Sequence, residues 1–117
     1  MLMSGHDYRE SLRRLAPRVY VNGQAVASVA DEPLLAPGVN GVEVSYDFAL
    51  REHLAPVMRA SRPDIAGGAA VNRMIAIPAS SQDLLNKLEA VRLVCQETGC
   101  AQRYLAGDSL AALRQYA

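Results

Sequence analysis

From Ser80 to Gly99 the chain carries its longest uninterrupted helical pattern, and any fold it adopts has to accommodate that helix. Ser80 or Ser81 stands where an N-cap accepts a hydrogen bond from the first free amides, and Asp83 follows Ser80 at capping-box spacing. Leu84, Leu85, Leu88, Val91 and Cys95 form a broad apolar stripe, and Gly99 is placed to end the helix in a left-handed conformation. A helix this one-sided needs a second layer to cover it. The expectation is a mostly α-helical domain with the Leu88–Val91 stripe and Cys95 in its core.

The segments on the N-terminal side are shorter. Ser4 and Asp7 again have capping-box spacing, Tyr8, Leu12 and Leu15 share a helical face, and Pro17 ends the run. Arg13 and Arg14 fall near the C-terminal end, where the macrodipole favours positive charge. Val19, Val21, Asn22-Gly23 and Ala25-Val26 predict a hairpin over about 18–27, because a type I′ turn needs positive φ at both central positions. Residues 28–41, with Pro33, Pro37, Gly38 and Gly41, read as an extended connection. Val42 to Leu54 reads as a helix with Val44 and Phe48 inward, and Pro56 begins a further turn through Met58. Ser61 to Ala70 reads as a loop around Gly67 and Gly68, and Val71 to Ile77 as a short strand stopped by Pro78. Beyond Gly99, a helical stretch surrounds Tyr104, and Asp108 caps a last helix, Ser109 to Tyr116, whose Leu110 and Leu113 need a partner. All 117 residues fit one domain.

Composition excludes several functions. With no Trp and a single Phe, Leu, Val, Ala and five Tyr must fill the core. Twelve basic and twelve acidic residues cancel, and no basic face stands out, which argues against nucleic acid as a partner. No run approaches the roughly 20 apolar residues of a membrane span. Asp7 and Glu10 interrupt the opening, so no signal peptide is expected and the chain reads as cytoplasmic. Cys95 and Cys100 are too few for a disulfide framework and read as thiols.

Few residues carry chemistry. Cys100 reads as a redox thiol or as a small buried hydrophobe. His6 and His53 lack zinc-ligand spacing, with His6 expected in solvent and His53 near a helix end. Gly67-Gly68 is not followed by the Gly-Lys of a phosphate loop. Asn72-Arg73 is the most suggestive polar pair: an arginine beside a strand can hold a carboxylate or a phosphate, or form a surface salt bridge. Tyr104 reads as a tyrosine packed with its hydroxyl at the surface.

Taken in order, Tyr8-Arg9-Glu10-Ser11-Leu12, Arg18-Val19-Tyr20-Val21-Asn22-Gly23 and Ser45-Tyr46-Asp47-Phe48-Ala49 resemble a flavoprotein family. Val71-Asn72-Arg73, the Ser80 cap with Asp83-Leu84-Leu85, and the Cys100…Asp108 segment continue the match. The family joins 4-hydroxybutyryl-CoA dehydratase to the flavin-dependent 4-hydroxyphenylacetate 3-hydroxylases. The resemblance implies an acyl-CoA dehydrogenase-like fold, of which 1–117 would be the helical N-terminal domain with one short hairpin. The central β-barrel and the C-terminal bundle would be absent, and FAD would sit between those two, bound by the complete enzyme and not by this chain alone. Partners would be those domains or a separately encoded flavin-binding subunit, in a homo-oligomer when complete.

In the dehydratase branch a Cys-x-x-x-Cys pair in this region supplies two ligands to a [4Fe–4S] cluster. Cys100 matches the first, but Tyr104 holds the second position. A hard oxygen donor is a poor substitute for thiolate, which argues against an intact cluster. In the phenol branch an Arg and a Tyr hold the substrate, whereas Leu105 and Ser109 hold the matching positions here. The expected function is the N-terminal part of an FAD-dependent enzyme acting on a short acyl-CoA, covering the substrate cavity. The alternatives are a fragment of a two-component aromatic hydroxylase and a non-catalytic helical docking subunit. Catalytic residues are not assigned; because the matching family segment borders the active site, the resemblance implies that Arg103 and Tyr104 line the substrate cavity, for which Asn72 and Arg73 are further candidates.

Overall fold

The computed structural model describes residues 2–61 and 66–100. Helix α1 (Gly5–Leu15) begins with the capping box read from the sequence. The Ser4 hydroxyl accepts the Asp7 amide and the Asp7 carboxylate accepts the Ser4 amide. These bonds hold the Asp7 carboxyl below its ordinary pKa. The helix ends at Ala16, which takes the left-handed conformation just before Pro17. Strands β1 (Tyr20–Val21) and β2 (Gln24–Ala25) form the expected hairpin, with Asn22 and Gly23 at φ 51° and 79°.

The next segment departs from expectation. Helix α2 runs Ala36–Leu50, so the stretch read as extended already contains its first turns. Pro37 lies in the first turn, where a missing N–H costs nothing because that amide has no intrahelical partner. A 3₁₀ turn over Glu52–Leu54 leads into the short helix α3 (Ala55–Met58), as Pro56 suggested. Strand β3 (Arg59–Ser61), unmarked by any alternation, pairs antiparallel with β4 (Ala70–Asn72), giving a second ladder beyond the single hairpin anticipated. The strand read over 71–77 stops at Asn72, because Arg73–Ile75 turns into a 3₁₀ helix capped by the Asn72 side chain.

Helix α4 (Ser81–Thr98) has the predicted caps, Ser80 and Gly99, but its rotation is not the predicted one. Lys87, Ala90 and Val94 face inward, whereas Leu84, Leu85 and Leu88 are 51%, 59% and 59% exposed. Cys95 is only half-buried. The core is Phe48, Ala49, Met58, Met74, Ala90 and Val94, sealed by Leu2, Val44, Leu54, Val57, Val91 and Leu93. Two unbranched methionines do the filling that aromatics cannot supply here. A smaller cluster of Ala60, Val71 and Ala76 lies under the second ladder. Among the described residues no helix is long and apolar enough to cross a membrane.

Polar contacts hold α1 against α2. The Gly5 amide donates to Asp47 Oδ1 at 2.7 Å, and Arg9 Nε donates to Glu43 Oε2 at 2.7 Å. Arg9 also donates to Asn40 and to the Ala30 carbonyl. Tyr8 and Tyr46 stack across the same seam with centroids 5.1 Å apart, and desolvation raises both phenol pKa values. The Arg13–Asp31 pair ties the end of α1 to the turn before α2 and lowers the Asp31 carboxyl to about 2. Gly5 is buried against α2, and a Cβ there would overlap Glu43 Cγ and lie 3.0 Å from Asp47 Oδ2. Gly5→Ala therefore has to displace the carboxylate that Arg9 holds. The overlap is expected to outweigh the better helix propensity of alanine, for a net loss of about 1–3 kcal/mol in urea denaturation. Unchanged or higher stability would show that the α1–α2 seam is looser than described.

Candidate functional site

Asn72 and Arg73, the polar pair singled out in the sequence, lie at the end of β4 and are both buried. Asn72 Nδ2 donates to the Ser45 carbonyl of α2 at 3.1 Å, and Oδ1 accepts the Met74 amide at 3.0 Å. Arg73 reaches three segments at once. Its Nε donates to the Val57 carbonyl at 2.7 Å and Nη2 donates to the Pro56 and Arg59 carbonyls, while Nη1 meets Asp83 Oδ1 at 3.1 Å. The carbonyls at the end of a short helix have no intrahelical partners, and a cation is favoured there. Arg59 does the same for α2: its Nε donates to the Ala49 carbonyl at 2.7 Å and Nη2 to the Leu50 carbonyl at 3.2 Å, with Glu52 as its ion pair.

Asp83 and Lys87 come to this site from α4 and were not read as site residues. Asp83 Oδ2 accepts the Ala79 amide at 3.2 Å, so one carboxylate serves both the helix start and Arg73. Buried Lys87 donates to the Ala76 carbonyl at 3.0 Å. The available signal was spacing: Asp83, Lys87, Ala90 and Val94 share one helical face, with small Ala90 allowing close approach.

Arg73, Asp83 and Lys87, with Ala60, Ser61, Ala76, Ile77 and Pro78, line a cleft of about 10 Å³, room for about one water. The cleft is too small for an acyl-CoA or a dinucleotide. Two wider, open hollows, of about 320 and 280 Å³, flank the hairpin and the turn before α2. Among the described residues no group of three His, Cys, Asp or Glu is placed to hold a metal. Cys100 is exposed at φ 68°, just after the α4 cap, so its reading as a small buried residue is corrected. Its amide donates to the Cys95 carbonyl at 2.9 Å. His6 and His53 are exposed. Arg103, Tyr104 and the last predicted helix lie outside the described residues.

The family model described as 4-hydroxyphenylacetate 3-hydroxylase N terminal matches residues 4–117. The chain belongs to that family. It is 34% identical over 114 residues to the 4-hydroxybutyryl-CoA dehydratase/vinylacetyl-CoA-Δ-isomerase of Clostridium aminobutyricum, covering 97% of this chain and 23% of that protein. The structure of an oxygen-tolerant archaeal 4-hydroxybutyryl-CoA dehydratase from N. maritimus matches with a TM-score of 0.73 and 37% identity, over 85% of this chain and 19% of that one. The oxygenase component of 4-hydroxyphenylacetate 3-monooxygenase, complexed with FAD and 4-hydroxyphenylacetate, matches with a TM-score of 0.66 and 20% identity, over 81% of this chain and 19% of that one. At that identity the last match speaks for the fold. The chain thus spans about a fifth to a quarter of the length of these relatives, and its mostly helical fold is that of the N-terminal domain of acyl-CoA dehydrogenase-like flavoproteins.

If Arg73 held only a surface anion, its replacement by lysine would leave stability unchanged. The fork it makes to carbonyls and a carboxylate predicts otherwise. Arg73→Lys keeps the charge but not the fork, and should cost about 3 kcal/mol in urea denaturation. Asp83→Asn should cost less, since its carboxylate is partly solvated.

Proposed function

We propose that this chain is the N-terminal part of an FAD-dependent enzyme that acts on a short acyl-CoA by dehydration, isomerisation or oxidation, its helices covering one side of the substrate cavity. The observation that carries this reading is the contrast in identity: 34% and 37% to two 4-hydroxybutyryl-CoA dehydratases, against 20% to the aromatic oxygenase. Leu105 and Ser109, standing where the phenol branch is expected to carry Arg and Tyr, point the same way.

The described residues do not fit FAD. The cleft that gathers Arg73 and Lys87 has room for about one water, and the donors described there are bonded to the protein itself. Flavin contacts are assigned to the rest of the polypeptide or to a separately encoded subunit. Nor do the residues fit a complete [4Fe–4S] site: Cys100 is an exposed thiol, and Tyr104 offers oxygen where the dehydratase pattern has sulfur. The same one-water cleft favours, as a second reading, a non-catalytic docking subunit.

A chimera separates the readings. This chain would replace the matching N-terminal segment of the Clostridium aminobutyricum dehydratase and, in parallel, that of the oxygenase component. The dehydratase chimera should load FAD and convert an acyl-CoA, whereas the oxygenase chimera should not hydroxylate 4-hydroxyphenylacetate. The unfused chain should show no saturable FAD binding by calorimetry. Hydroxylation by the second chimera, or stoichiometric FAD binding by the chain alone, would contradict the proposal.

A further inference from the structure

The way helix α4 ends brings the two cysteines of the chain together. On a continuous helix, residues five apart have α-carbons about 8.7 Å from one another and about 140° around the axis, out of reach of a bridge. The chain does not continue as a helix. Gly99 and Cys100 take successive positive φ values, 62° and 68°, and fold it back. The Gly99 and Cys100 amides both donate to the Cys95 carbonyl, the second at 2.9 Å. An amide bonded to a carbonyl at that distance keeps the two α-carbons within about 6.8 Å, inside the range that a disulfide spans. Cys95 and Cys100 also hold the two positions whose side chains ordinarily meet across a helix end of this kind. Positive φ is at no steric cost for Gly99, whereas a residue with a side chain, as Cys100 is, adopts it uncommonly.

We propose that Cys95 and Cys100 form a reversible disulfide that closes the end of α4, by exchange with a low-molecular-weight disulfide. Accessibility sets the order of events. Cys100 is exposed and Cys95 is half-buried, so the Cys100 thiolate attacks first. The sulfur–sulfur bond of the small disulfide breaks, one of its sulfurs joins Cys100, and the other leaves as a thiol. The Cys95 thiolate then attacks the Cys100 sulfur and displaces the second thiol. The two cysteines lose two electrons and two protons, and the small disulfide takes them up as it becomes two thiols. An exposed bridge of this sort is of the labile kind, returned to the dithiol by excess reducing thiol. The closed ring holds the last turn of α4 and the direction in which the chain leaves Gly99, so the redox state of the pair decides whether that end can open. The inference stands apart from the role proposed above.

The test incubates the reduced full chain with oxidised glutathione, blocks remaining thiols with iodoacetamide, and reads intact mass and peptide maps. Cleavage after Arg92 and Arg103 leaves both cysteines in one peptide. Most of the chain should become a monomer lighter by two hydrogens and unlabelled at both cysteines, and excess dithiothreitol should reverse the change. Cys95→Ser should stop at the mixed disulfide between Cys100 and glutathione. Gly99→Val puts a branched side chain at φ 62°, and should lower the ratio of closed to mixed product several-fold while Cys100 reacts with glutathione as before. A parent chain that stops at the mixed disulfide would overturn the proposal. Undiminished closure in Gly99→Val would overturn it too, since the helix end would then not be what joins the two sulfurs. Dimers linked through Cys100 would overturn it in favour of a bridge between copies.

Discussion

A single buried guanidinium connects the parts of this fold that hydrophobic contact alone would leave loosely joined. Arg73 satisfies the last carbonyls of α3, the Arg59 carbonyl of β3 and the Asp83 carboxylate of α4. Arg59, in turn, satisfies the last carbonyls of α2. Helix ends leave unsatisfied carbonyls, and a buried one costs about 1–3 kcal/mol if unpaired. Two arginines, Arg59 on β3 and Arg73 just after β4, meet that requirement for two successive helices, and Arg73 also pairs with Asp83 in the first turn of α4. The apolar core of Phe48, Met58, Met74 and Val94 closes over this scaffold.

This arrangement explains what could be read from the sequence. Caps and turns are local, so the Ser4 and Ser80 caps, the Asn22-Gly23 hairpin and the Gly99 stop stand where the residues place them. The rotation of α4 is not local. Its leucines form the stronger apolar stripe, yet the inward face carries Asp83 and Lys87, because their partners Arg73 and the Ala76 carbonyl lie on the 3₁₀ turn that follows β4. No pattern confined to residues 80–99 contains that information. Strand β3 was hidden for a similar reason: Arg59-Ala60-Ser61 has no alternation, and its register comes from pairing with β4.

The candidate site was half legible. Asn72 and Arg73 stood out as a polar pair beside a strand, and the structure brings them to the centre of the fold. Their bonds run to Ser45, Val57, Arg59 and Asp83, which makes them supports of the fold within the described residues. A strand-end arginine gives the same sequence signal whether it faces a ligand or a helix end. Membership of the family was legible from six short segments in order, and those within the described residues report structural needs that the fold imposes: a cap, a turn or a buried seam.

If Arg73 joins the second ladder to α4 as one cooperative unit, native-state hydrogen exchange reads it directly. The amides of Ala60 and Val71 in the ladder should exchange with the same opening free energy as those of Ala90 and Val94 in α4, and Arg73→Lys should lower all four together. Ladder amides that open several-fold more readily than α4, with α4 unmoved by Arg73→Lys, would contradict the account.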